Sequence, residues 1–87
     1  MRMTFQKLPG SIYPAYLVVH DYSIALEPEL IESLKELVSE ENDPFLEGIV
    51  QKVGINRYLR EMIEEEIKEN ENKAGLILKL RNDLKNL

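Results

Sequence analysis

Residues Pro44–Ile67 read PFLEGIVQKVGINRYLREMIEEEI, two short segments of helical periodicity that meet at Gly54, Ile55 and Asn56. Apolar residues recur at helical spacing on both sides of this junction. Gly54 is placed to end the first helix in the left-handed conformation that glycine adopts easily. Asn56 is a residue type that caps the start of the next helix. The stretch therefore predicts a helical corner, either a helix-turn-helix unit or an ordinary bend between two helices.

One further amphipathic helix is predicted on each side of this corner. One begins at Pro28, because proline is favoured at the first helical position. The other covers the C-terminal segment 73–87, whose leucines keep helical spacing, although their local alternation leaves a strand open as an alternative. Residues 70–73 contain no apolar side chain and two asparagines, which favours a break there over one continuous helix.

The N-terminal part has the pattern of a β-structure. From Ala15 to Leu26, apolar and aromatic residues alternate in the manner of a strand. The pattern fits either one long strand or two strands that break near His20 and Asp21. We expect one face of this segment to carry the even-numbered residues, which are Tyr16, Val18, His20, Tyr22, Ile24 and Leu26.

The predicted fold is α+β and mainly α, with an N-terminal strand or hairpin followed by three or four helices. At 87 residues the chain allows one small domain, with a β segment at 1–26 and a helical part at 28–87. No apolar run approaches a membrane span and no signal peptide is recognisable, so we expect no membrane association and a cytoplasmic location. The absence of cysteine excludes disulfides and thiol chemistry.

The charge pattern bears on the kind of partner. The net charge of -5 is concentrated in residues 24–48, which contain eight acidic residues and one lysine. A basic stripe is the usual electrostatic mark of a nucleic-acid-binding protein, and none is obvious in this chain. An assembled dimer could still place its basic residues on one face.

Catalytic and metal-binding patterns are weak. His20 is the single histidine and is expected to lie half-buried in a strand, with Asp21 pointing to the opposite face. The glutamates lie in rows on predicted helices, and no spacing promises convergent metal ligands. We therefore expect neither an enzyme nor a metal or cofactor site.

The junction resembles a helix-turn-helix over residues 49–63, with Gly54 at the turn. The match places four apolar residues at buried positions of the motif: Ile49, Val53, Ile55 and Ile63. Such a motif presents the N-terminal residues of its second helix to the major groove of double-stranded DNA. The expected DNA-binding residues are Asn56, Arg57 and Arg60, with Lys52 contacting phosphate.

A second resemblance concerns the order of strand and helices. Residues 23–34 read SIALEPELIESL, residues 54–57 read GINR and residues 59–63 read LREMI. This order of segments resembles the ribbon-helix-helix repressors and antitoxins. The resemblance implies a dimer in which Asn56 and Arg57 lie near phosphate and the C-terminal segment binds a partner.

The C-terminal segment supports a different function, that of a protein-interaction module or adaptor. Its leucine content is high for a helix that only covers a small core. The predicted partner-binding residues are Leu76, Ile77, Leu80 and Leu84, which could meet a partner protein or a second copy. A helix that simply closes the bundle is the alternative. A homodimer paired through the strands or this segment is expected, since a small core gains from association.

Overall fold

The structure, a computed structural model, describes residues 3–38 and 45–87, with only the backbone of residue 38. The elements, in chain order, are β1 (Met3–Gln6), β2 (Ala15–Val19), β3 (Tyr22–Leu26), α1 (Pro28–Val38), α2 (Phe45–Val53), α3 (Arg57–Glu69) and α4 (Lys73–Lys85). The predicted α+β, mainly α class is confirmed. None of the helices in these two ranges is long and apolar enough to cross a bilayer.

The strands form one antiparallel sheet in the order β1-β2-β3. The chain breaks at His20 and Asp21, which confirms the two-strand alternative. Val19 pairs with Tyr22 across this turn, so odd positions of β2 share a face with even positions of β3. The prediction of one even-numbered face is therefore wrong for β2, where the buried residues are Ala15, Leu17 and Val19.

Strand β1 was not predicted, and its position depends on α4. Asp83 of α4 accepts hydrogen bonds through Oδ2 from Thr4 Oγ1 at 2.8 Å and from the Phe5 backbone N–H at 3.2 Å. Lys79, one turn earlier, donates to the Met3 carbonyl at 3.3 Å. Side chains of α4 thus occupy the outer edge of β1, whereas β3 forms the opposite edge of the sheet.

The helix boundaries follow local signals. Helix α1 begins at Pro28 as predicted. Asn56 caps α3 and Asn72 caps α4, each accepting a backbone N–H three residues later at 2.9 Å. The chain therefore breaks between α3 and α4, and the C-terminal segment is a helix. Asp43 and Pro44, whose residue types predict the N-cap and first position of this helix, lie outside the described ranges.

Gly54 ends α2 for a reason other than the predicted one. Its φ is not positive, and Gly10 is the one described glycine in the left-handed region. A Cβ added at Gly54 would lie 2.5 Å from the Val50 carbonyl oxygen and 3.0 Å from the Arg60 Cα. Glycine is therefore needed here for close approach between backbones, and the left-handed cap is a wrong prediction.

Helix α4 completes the core between the sheet and the other helices. Leu76, Leu80 and Leu84 are buried with residues of all three strands, and Ile77 packs at the core margin. Leu76, Leu80 and Leu84 are buried within the folded chain, so their partner-binding role stays a prediction that this burial does not support. The bundle-closing alternative explains the leucine spacing.

Candidate functional site

The residues predicted to bind DNA do not form a continuous basic surface. Arg57 is 92% exposed in its side chain, but its Nε lies 3.4 Å from Glu61 Oε1, one turn along α3. Glu64 and Glu65 are exposed on the same helix. Carboxylates therefore interrupt the positive charge of the proposed recognition helix.

Arg60, on α3, and Lys52, on α2, contact different parts of the molecule. Arg60 borders a groove of about 490 Å³ between α2 and α3, beside Leu46, Val50 and Ile67. Lys52 instead donates through Nζ to Ser33 Oγ on α1 at 2.8 Å. The groove has three basic and two acidic residues at its rim, which are Arg60, Lys68, Lys73, Glu47 and Glu64. This nearly balanced mixture selects no particular class of partner.

The turn itself departs from the helix-turn-helix expectation. Ile49, Val53 and Ile63 are buried as the motif requires, but Ile55 is 78% exposed. The Ile55 N–H donates to the Val53 carbonyl at 2.8 Å, a tight turn that directs the Ile55 side chain outward. The prediction of a buried Ile55 is therefore wrong, and Asn56 uses its side-chain oxygen to cap α3.

The ribbon-helix-helix resemblance remains a prediction. In this chain β3 pairs with β2, and α2 lies between α1 and α3 where the resemblance implies a short loop. The exposed side chains of β3 are not basic, being Tyr22, Ser23 and Ala25. The fold therefore adds no support for base recognition by this strand.

A different surface on α3 combines aromatic and acidic side chains. We define the acidic–aromatic face as Tyr22, Tyr58, Glu61 and Glu65, all exposed. Tyr58 is 65% exposed, and its ring meets that of Tyr22 edge to face with centroids 6.1 Å apart. An adjoining cleft of about 450 Å³ is lined by His20, Tyr58, Glu61, Met62, Glu65 and Glu69.

The β2–β3 turn closes one end of this cleft through His20. This residue has a φ of 55°, a left-handed conformation that is uncommon for a residue with a side chain. Its Nε2 lies 2.7 Å from Oε1 of Glu66, whose side chain is only 3% exposed. The expectation of a half-buried strand histidine is wrong, since His20 lies in the turn and its side chain is 55% exposed.

Comparisons with protein-family models, curated proteins and solved structures give no match. The function must therefore be inferred from the chemistry of this surface. This face is not evident from the sequence, because its residues come from the β-hairpin and from a helix distant along the chain. The spacing of Tyr58, Glu61, Glu65 and Glu69 at three or four residues is the one signal that predicts a shared helix face.

The acidic–aromatic face can bind a cation. A tyrosine ring attracts an ammonium or guanidinium group placed over it, and carboxylates pair with the same groups. Tyr58, Glu61 and Glu65 follow one another at spacings of three and four residues in α3, so both interactions are offered along one helix face. Within the chain, Arg57 already pairs with the carboxylate of Glu61.

Proposed function

We propose that this protein is a non-enzymatic protein-interaction module whose acidic–aromatic face binds a basic segment of a partner protein. The observation that carries the proposal is the grouping of Tyr58, Glu61 and Glu65 beside a cleft whose charged residues, His20 apart, are all acidic. A lysine or arginine of the partner lies against the Tyr58 ring, with its charged group between the two carboxylates.

Recognition combines weak ion pairs with stacking of a cation on the tyrosine ring, and salt screens the stacking less than the ion pairs. Each exposed ion pair contributes about 0.2–1 kcal/mol and is screened by salt. Stacking of a cation on an exposed tyrosine adds about 0.5–1 kcal/mol. Several such contacts along a basic segment are therefore needed for stable binding, and affinity falls as ionic strength rises.

The DNA-binding alternative has less support from the positions of its residues. Arg57 is paired with Glu61, Lys52 is bonded to Ser33, and Arg60 borders a separate groove. Acidic side chains of α3 would face the phosphates together with Arg57. DNA nevertheless belongs in the test, because Arg57 and Arg60 remain exposed at the start of α3.

The test measures binding of fluorescent lysine- and arginine-rich peptides and of mixed duplex DNA by anisotropy, at low and moderate salt. We expect peptide binding, and we expect Glu61→Gln with Glu65→Gln to weaken it by about 5- to 10-fold. Tyr58→Leu should weaken it further by removing the ring. Glu29→Gln with Glu32→Gln is the control, because it removes the same two charges from exposed glutamates on a different helix, α1.

Equal loss of peptide affinity in the Glu29→Gln, Glu32→Gln control would show a general charge effect and contradict a defined face. DNA binding that disappears in Arg57→Ala with Arg60→Ala would instead favour the regulator alternative. The mass of the protein in solution, recorded with each titration, tests the predicted homodimer.

A further inference from the structure

His20, Glu66 and Glu69 bring three potential metal ligands together at the junction of the β-hairpin and α3. Their ligand atoms all lie within 4.8 Å of one another. Glu66 and Glu69 are three residues apart and so share one side of the helix. His20 reaches the same point from the β2–β3 turn, so that two separate elements contribute to the cluster.

We propose that these three side chains bind a single divalent transition-metal ion, with zinc as the best match. Zinc binds histidine nitrogen and carboxylate oxygen at about 2.0–2.2 Å, which places neighbouring ligand atoms about 3.3–3.5 Å apart in a tetrahedral site. The observed ligand atoms, 2.7 Å apart between His20 and Glu66 and all within 4.8 Å of one another, bracket that spacing. A water molecule completes the fourth position, as in other zinc sites with three protein ligands.

The buried carboxylate favours such an ion. Glu66 is 3% exposed in its side chain, and a carboxylate in that environment needs a cationic or hydrogen-bonding partner. Nε2 of His20 lies 2.7 Å from Oε1 of Glu66, so the imidazole already lies against this carboxylate. A divalent ion bound between them would be met by two negative charges, those of Glu66 and Glu69.

The donor set also selects the kind of metal. Magnesium and calcium prefer all-oxygen ligands, whereas imidazole favours zinc and its late transition-metal neighbours. His20 is the single histidine of the chain, so the nitrogen ligand has one possible source. Zinc bound here would cross-link the β2–β3 turn to α3.

The test uses untagged, chelator-treated full-length protein titrated calorimetrically with zinc, magnesium or calcium chloride. We expect one zinc ion per chain and much weaker binding of magnesium and calcium. His20→Asn tolerates the left-handed backbone, and it should weaken zinc binding by at least about tenfold, as should Glu69→Gln. Glu64→Gln, outside the cluster, should bind zinc as the natural chain does.

Two further measurements separate ligation from a structural effect of the variants. Saturating zinc should raise the Tm of the natural chain by about 10 °C and leave that of Glu69→Gln nearly unchanged. The imidazole NMR signals of the single histidine should shift on adding zinc. Unmoved imidazole signals, equal affinity for calcium, or full zinc affinity in Glu69→Gln would each overturn the site.

Failure of the zinc site can be distinguished from failure of the proposed peptide-binding function, because the two tests use different probes and different variants. His20 and Glu69 also line the cleft beside the acidic–aromatic face. The metal cluster uses Glu66 and Glu69, and the acidic–aromatic face uses Tyr58, Glu61 and Glu65.

Discussion

At the scale of single residues, the contact between α2 and α3 depends on the missing side chain of Gly54. We expect Gly54→Ala to lower the free energy of unfolding by about 1–3 kcal/mol, because the new methyl group would meet the Val50 carbonyl and the Arg60 backbone. Neither backbone group can move without displacing its helix. Urea denaturation followed by circular dichroism measures the change.

Gly48→Ala is the matched control for this prediction. A Cβ at Gly48 would meet only the terminal methyl groups of Leu37, at 3.0 and 3.3 Å. Those methyl groups can rotate away, and alanine gains up to about 1 kcal/mol over glycine inside a helix. We expect stability within about 1 kcal/mol of the natural chain. Equal destabilisation by both substitutions would contradict the close-approach explanation.

At the scale of elements, one carboxylate attaches α4 to β1. Asp83→Ala removes the acceptor for Thr4 and for the Phe5 N–H, leaving a strand N–H without its partner. We expect a loss of about 1–3 kcal/mol in unfolding free energy and faster amide exchange at Phe5. Asn82→Ala, an exposed neighbour on the same helix, should be nearly neutral. Unchanged exchange at Phe5 would show that the edge contact does not protect β1.

The elements that sequence analysis predicted are those with local signals. Helix α1 begins at a proline, α3 and α4 begin at asparagine caps, and their apolar residues recur at helical spacing. Strand β1 has no such signal. Its four residues become a strand through pairing with β2 and contact with Asp83, which lies at the other end of the chain.

The candidate site shows the same limit. The alignment of acidic residues along α3 follows from helical geometry and could be read from the sequence. The contact between His20 and Glu66 could not, because it depends on a two-residue turn and on how α3 packs against the hairpin. Rows of glutamates are ordinary solvated surface until a residue from another element joins them.

At the scale of the whole molecule, α4 belongs to the core shared by sheet and helices. We expect Leu80→Ala to lower the free energy of unfolding by about 2–5 kcal/mol, because this side chain is fully buried. Leu78→Ala provides the control, since Leu78 lies on the same helix and is 71% exposed. Thermal denaturation of both variants compares them directly. A similar loss of stability in Leu80→Ala and Leu78→Ala would contradict the core role of the α4 leucines and favour the partner-binding prediction.

The two edges of the sheet differ, and this difference limits how copies of the protein can polymerise. Asp83 and Lys79 occupy the backbone groups of β1 that an incoming strand would need. Addition of a strand is therefore directed to β3. If two copies joined through their β3 strands, the combined sheet would end in a β1 strand on both sides. The sheet could then add no further strand beyond the dimer. By covering the edge of β1, α4 would therefore prevent fibre formation.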